Sequence, residues 1–257
     1  MGMENSLLEL SIVIPVFNEE ENLEPLMAEV KRAVDSVGCS YEVIFVDDKS
    51  TDNSVKVMKR LKEANPEIRV VQHKVNCGES AAQATGFHCA RGNLVITMDG
   101  DGQNDPGDIP RLLEALTDTV DCVCGVRRRR EDNWVKRVSS RIANRFRNFL
   151  TGDIITDSGC TYRAIRRNAL REIVAFNGMH RFLPSILRFQ RRTVVEIGVN
   201  HRPRTRGVSK YGIGNRMWRG ILDCLAMRWY KKRAFPLDRF NPPEETNGSN
   251  QVTRVKP

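Results

Sequence analysis

From residue 10 onward, short runs rich in β-branched residues alternate with amphipathic stretches of helix length. No other feature constrains the chain as strongly, because a strand that joins a parallel neighbour needs a crossover of a dozen or more residues, usually a helix. The runs at 10–17, 42–47, 68–73, 94–99 and 120–126 read as strands, and helices are expected at about 20–36, 52–64, 78–90 and 108–117. Asp52 and Asp108 are N-cap candidates for the second and fourth helices. The expected fold class is α/β: a mostly parallel sheet flanked by helices around one main core, for which 257 residues at 40% hydrophobic content suffice. A helix at 134–150, a strand near 193–199 and a last helix at about 212–231 follow, and the polar tail from Pro236 is expected to be disordered.

In such sheets ligands collect beyond the carboxyl ends of the strands. Those positions hold Asn18 and Glu19, then Asp47 and Asp48, then Asp99, Gly100, Asp101, Gly102 and Gln103, so acidic groups converge on one edge. Asp99, Asp101 and Gln103 stand at alternate positions and offer hard oxygen ligands suited to Mg²⁺ or Mn²⁺. An ordinary Asp/Gly turn is the bland alternative, and the second acidic pair at Asp47–Asp48 tips the balance toward a metal. Other phosphate sites are excluded more firmly. The chain has no G-x-x-x-x-G-K-[ST], and the first strand runs into Phe-Asn-Glu-Glu rather than a G-x-G-x-x-G turn, while Gly212-Ile-Gly214 reads as a turn or cap. His73, His88 and His201 form no metal pair; His180, beside Arg181, either lines the cleft or makes a structural hydrogen bond.

Charge is unevenly divided: residues 1–120 carry a net −10 and residues 121–257 a net +19. An acidic half that holds a cation and a basic half that receives phosphate or a lipid surface account for that split. Seven cysteines without a C-x-x-C pair read as reduced, mostly buried thiols. The acidic first residues and the absence of any run of 18 apolar residues predict neither a signal peptide nor a membrane span.

The strings Ser11-Ile-Val-Ile-Pro-Val-Phe-Asn-Glu19, Val46-Asp-Asp-Lys-Ser50 and Asp99-Gly-Asp-Gly-Gln103 resemble the GT-A domain of family 2 glycosyltransferases. Three further segments narrow the resemblance to the polyprenyl-phosphate glycosyltransferases, the group of dolichol-phosphate mannosyltransferase and its bacterial undecaprenyl-phosphate counterparts. They are Gly125-Val-Arg127, Asp157-Ser-Gly-Cys-Thr-Tyr-Arg163, and the loop His201 to Tyr211, in which Arg204, Gly207, Ser209 and Lys210 fit an R-x-x-G-x-S-K pattern. The resemblance implies a GT-A domain over 8–233, with a nucleotide- and metal-binding half at 8–126 and an acceptor- and membrane-facing half at 127–233.

By the same resemblance Pro15, Glu19, Asp47 and Asp48 hold the base and ribose of a nucleotide-diphosphate sugar. Asp99, Asp101 and Gln103 bind metal and diphosphate, and Arg204 and Lys210 grip phosphate. Arg127 joins the acceptor-phosphate site with a basic residue, Lys136 or Arg137, and a serine, Ser139 or Ser140, of which Ser140 is favoured. The implied reaction is inverting transfer of a mannose- or glucose-type hexose to a polyprenyl phosphate, with Asp101, Arg127, Arg204 and Lys210 as the catalytic set. The arginine fork and mobile lysine suit phosphate on physical grounds as well. The basic stretches 134–150 and 212–231, interleaved with apolar residues, predict peripheral attachment to an anionic, cytoplasmic membrane face, although the pattern over 134–150 equally fits a helix packed on the sheet. A hydroxyl acceptor is the nearest alternative, and it requires a base, for which Asp157 is the best candidate. A nucleic-acid-binding module is the remote one, since the aromatics that single-strand binders interleave with charge are missing, and no nucleic-acid partner is expected.

Overall fold

The structure is a computed structural model and describes residues 8–127, 145–204 and 216–234. Seven strands form one mixed sheet: β1 (Leu10–Val16), β2 (Tyr41–Asp47), β3 (Ile68–Gln72), β4 (Leu94–Thr97), β5 (Cys122–Arg127), β6 (Arg163–Arg166) and β7 (Val194–Val199). Their order across the sheet is β3-β2-β1-β4-β6-β5-β7. Every pairing is parallel except those of β6, which runs antiparallel to both β4 and β5. The first half steps outward from β1 to β3 and then returns to place β4 on the other side of β1. That reversal opens a crevice at the carboxyl ends of β1 and β4, where a ligand is expected in folds of this kind.

Residues of β1 alternate between two cores. Leu10, Ile12, Ile14 and Val16 face one layer, formed with α1 (Leu23–Asp35), α2 (Ser54–Ala64) and α4 (Ile109–Ala115). Val13 joins Ala82 and Leu183 on the opposite face, under α3 (Glu79–Cys89) and α6 (Met179–Phe189). A short helical segment at 145–151, α5, lies between β5 and β6 in the chain. The last helix, α7 (Arg216–Arg233), packs Cys224 and Met227 onto Met179, Phe182 and Ile186 of α6. The α/β expectation therefore holds, with strands close to their expected places.

Differences at the element ends have local causes. β4 stops at Thr97 rather than 99 because Asp99 N donates to the Asn104 side chain at 2.7 Å and leaves the ladder. α2 begins at Ser54, so Asp52 is not its N-cap; Asn53 holds that position, and Asp52 instead accepts from Ser54 N at 2.9 Å. Asp108 does stand at the N-cap of α4, yet its carboxylate accepts from Arg111 and from Asn200 N rather than capping the helix. Sequence reading missed β6 and α6 altogether. β6 has four residues, one of them an arginine with no exposure, and α6 carries Pro184 in its interior. All seven cysteines are free, four of them buried. The expected tail, residues 134–144 of the basic helix and the 212–215 start of the last one lie outside the described residues.

Candidate active site

The crevice is built by loops that hydrogen-bond one another. Asn18, just past β1, adopts φ 55°, and its side chain accepts from Thr51 N at 2.7 Å, while Glu19 N donates to Ser54 Oγ at 2.9 Å. Asparagine tolerates the left-handed region better than most residues, which explains its place in Phe-Asn-Glu. Pro15, next to last in β1, is in register with Val46, and its carbonyl lies so close to Gly100 that a Cβ there would stand 3.0 Å away.

Asp47 and Asp48 are buried, and their carboxylates organise backbone. Asp47 Oδ1 accepts from Ser50 N at 3.1 Å. Asp48 accepts from Cys77 N at 2.8 Å and Gly78 N at 2.7 Å, and its Oδ1 lies 2.8 Å from His73 Nδ1. Asp48, His73 and Cys77 also hold ligand-type atoms within 4.8 Å of one another. Both Asp48 oxygens are already used, and the other His73 nitrogen lies 2.9 Å from Thr85 Oγ1, so hydrogen bonding alone accounts for this cluster.

The acidic motif beyond β4 is differently provided for. Asp99 Oδ1 accepts from Thr161 Oγ1 at 2.6 Å, and Asp101 Oδ1 accepts from Gln103 N at 3.0 Å, a turn that Gly102 closes at φ 73°. Burial, and then the charge of Asp101, push the Asp99 carboxyl up to about 6. Glu79, the first residue of α3, is pushed up to about 8 by burial and then by Asp99. Three carboxyl groups thus crowd one place with too little positive charge between them. A divalent cation fits that donor set.

Cations arrive from the second half of the chain. Gln103 donates to Arg202 O at 3.3 Å and accepts from Arg202 N at 2.8 Å, which straps the segment after β7 across the motif. Arg204 then donates to Asp101 Oδ2 at 2.5 Å and lies 3.9 Å from Glu19. Arg127, at the end of β5, is held by Asp157. His180 Nδ1 lies 2.7 Å from Ser80 Oγ and its Nε2 lies 3.6 Å from Glu79, so it both makes a structural bond and faces the cleft. Lys136, Arg137, Ser139, Ser140, Ser209 and Lys210 lie outside the described residues.

Glu79 and Arg163 escaped sequence reading. Glu79 follows the end of β3 by seven positions, so the strand-end rule did not reach it. Arg163 is fully buried, and its charge acts on both Glu79 and Asp99.

The fold matches solved structures at low identity. Glucosyl-3-phosphoglycerate synthase from Mycobacterium tuberculosis, solved with Mg²⁺ and uridine diphosphate, superposes with a TM-score of 0.64 at 20% identity over 85% of this chain and 80% of that one. At the sequence level, the dodecaprenyl-phosphate galacturonate synthase of Rhizobium johnstonii is 37% identical over 88% of this chain and 68% of its own length. The undecaprenyl-phosphate 4-deoxy-4-formamido-L-arabinose transferase of Edwardsiella ictaluri is 37% identical over 79% of this chain. The chain spans about two thirds of these relatives, 68% of the first and 63% of the second. Residues 11–174, which carry the crevice, the acidic motif and the Arg127–Asp157 pair, match the model of glycosyl transferase family 2, and the chain belongs to that family.

Proposed function

We propose that the chain moves a sugar from a nucleotide-diphosphate sugar to a polyprenyl phosphate with inversion at the anomeric carbon. The observation that carries the acceptor assignment is the Arg127–Asp157 pair. Asp157 is the carboxylate best placed to serve as base toward a hydroxyl, and both its oxygens are taken by Arg127 at 2.7 Å. A phosphate monoester needs no such base, since its second pKa near ~6 leaves it largely dianionic at neutral pH. Its oxygen attacks the anomeric carbon, the bond to the diphosphate breaks, and the nucleoside diphosphate departs with the electron pair.

Asp99, Asp101 and Gln103 would hold Mg²⁺ or Mn²⁺, which when bound neutralises charge growing on the leaving diphosphate. The chain's own residues do the rest. Pro15, Glu19, Asp47 and Asp48 shape the nucleotide subsite, Arg204 supplies a second cation to the diphosphate, and Arg127 orients the incoming phosphate, with Lys210, Lys136 or Arg137, and Ser140 completing the phosphate contacts. This division makes 8–126 the donor half and 127–233 the acceptor half. The relatives are named for a galacturonate and a formamido-arabinose, so the donor class is set wider than mannose and glucose.

Among the described residues no helix is long and apolar enough to cross a membrane. Leu222, Leu225 and Trp229 of α7, and Phe146 and Phe149 of α5, are nevertheless exposed. Lys231 ties the two helices by donating to Gly152 O at 2.7 Å, and Arg228, Lys232 and Arg233 flank the apolar residues. We assign this face to an anionic, cytoplasmic bilayer surface, where the acceptor resides. A screen of nucleotide sugars against a short polyprenyl phosphate tests the reading, and transfer only to water-soluble hydroxyl acceptors would defeat it.

A further inference from the structure

We infer that Asp157 is a positioning residue that locks the Arg127 guanidinium with its free edge toward the acceptor phosphate, and that Gly159 keeps that edge open. The inference rests on the acceptor reading above. Arg127 Nε donates to Asp157 Oδ2 and Nη2 to Oδ1, each at 2.7 Å, and Arg127 N adds a third contact to Oδ2 at 3.3 Å. The side chains are 15% and 8% exposed, so the fork is fixed by the protein and not by water. A guanidinium has five N–H bonds, and Asp157 uses two of them. Two on Nη1 and one on Nη2 remain, and one from each nitrogen points together off the end of the same plane, the arrangement that grips phosphate in a bidentate manner.

Gly159 supplies the second observation. A Cβ there would stand 3.1 Å from Arg127 Nη2 and 3.7 Å from Asp157 Oδ1. Gly159 is not among the glycines of positive φ, so it serves for space and not for conformation. Any larger residue would press on the one nitrogen that both edges of the fork share. The same segment also carries Thr161, whose hydroxyl donates to Asp99 at 2.6 Å, and Cys160 N turns back onto Asp157 O at 3.2 Å. A single turn of chain therefore fixes the acceptor arginine relative to the metal motif, which in-line attack demands.

The test uses the full chain and calorimetric titration with farnesyl phosphate, and separately with uridine and guanosine diphosphates in the presence of Mn²⁺. Asp157→Asn and Gly159→Ala should each weaken farnesyl phosphate roughly tenfold while leaving nucleotide affinity within about twofold. Arg127→Ala should weaken it by roughly one to two decades, and adding Asp157→Asn to that variant should cost nothing more, the non-additivity expected of residues acting as one unit. A pair that only stitched β5 to its neighbour would lower the melting temperature without this selectivity. Loss of acceptor binding in Arg127→Ala with none in Asp157→Asn or Gly159→Ala overturns the positioning role and spares the acceptor reading. Unchanged acceptor binding in Arg127→Ala overturns both. If Asp157→Asn does not fold, Gly159→Ala decides, because it leaves both members of the pair in place.

Discussion

Arg204 donates to Asp101 Oδ2 at 2.5 Å, which sets a cation from the basic half of the chain directly on the acidic motif of the other half. Without a metal, Arg204 is the counter-charge of Asp101; with metal and diphosphate present, the proposed function turns it to phosphate. Arg204→Ala should therefore bind Mn²⁺ alone at least as well as the unaltered protein, yet bind a nucleoside diphosphate with Mn²⁺ roughly ten- to a hundredfold more weakly, the cost of a charge-assisted contact of about 1.5–3 kcal/mol. Calorimetry of the metal and of the nucleotide separates the two effects, and a parallel loss of both would contradict the exchange of partners.

Metal affinity should depend on pH. Burial and mutual repulsion hold Asp99 at about 6 and Glu79 at about 8, so both groups are protonated below those values, while a cation at Asp99 requires its ionised form. Affinity for Mn²⁺ should rise as pH increases through about 6, with protons released on binding. Titration in buffers of different ionisation enthalpy measures that release, and a pH-independent affinity with no proton release would count against a metal at Asp99.

At the opposite end of the sheet, Glu42 is buried and accepts from Ser11 Oγ at 2.7 Å, Arg91 N at 2.8 Å and Arg69 Nη1 at 2.8 Å. Burial alone would raise its pKa, but the hydrogen bonds from Arg69, Arg91 and Ser11 outweigh burial and bring it below the ordinary value. A carboxyl depressed in the folded state contributes stability that is present above its unfolded pKa and is lost as pH falls through the folded one. Glu42→Ala should cost roughly 2–3 kcal/mol, below the about 3–5 typical of a broken buried pair, because Arg91 and Arg69 can turn to water. Its denaturant midpoint should also respond less to acid than that of the unaltered protein; an equal acid response in both would remove Glu42 from the account.

Much of this organisation is legible in the sequence, and the failures have physical reasons. The parallel strands show because each is a buried apolar run, and the Asp99–Gln103 motif shows because carboxylates at alternate positions after such a run are conspicuous. β6 does not show, since a four-residue strand that opens on a fully buried arginine lacks the apolar run of the others. Asp48 stands at a strand end, where ligands are expected, and its oxygens also accept from the backbone of Cys77 and Gly78, bonds that no local pattern announces.

The exposed face of α7 should bind lipid. Replacing Leu222, Leu225 and Trp229 together with serine should reduce flotation with vesicles of anionic phospholipid about tenfold or more, because each large apolar side chain contributes about 1.5–3 kcal/mol when buried. The melting temperature should stay close to the original, since all three side chains are exposed. Undiminished flotation would move the membrane contact elsewhere.

Metal-dependent transfer to a lipid phosphate is measured most directly by following labelled sugar from a panel of nucleotide sugars into solvent-extractable product with a short polyprenyl phosphate. One donor in the panel should give extractable glycolipid with Mg²⁺ or Mn²⁺. Chelation with EDTA should abolish it, and Asp101→Asn, with the fold intact, should lower the rate by at least about two decades, as expected when an anionic ligand to the metal is removed. Extractable product that forms equally in EDTA, or in Asp101→Asn at an unchanged rate, would contradict the claim.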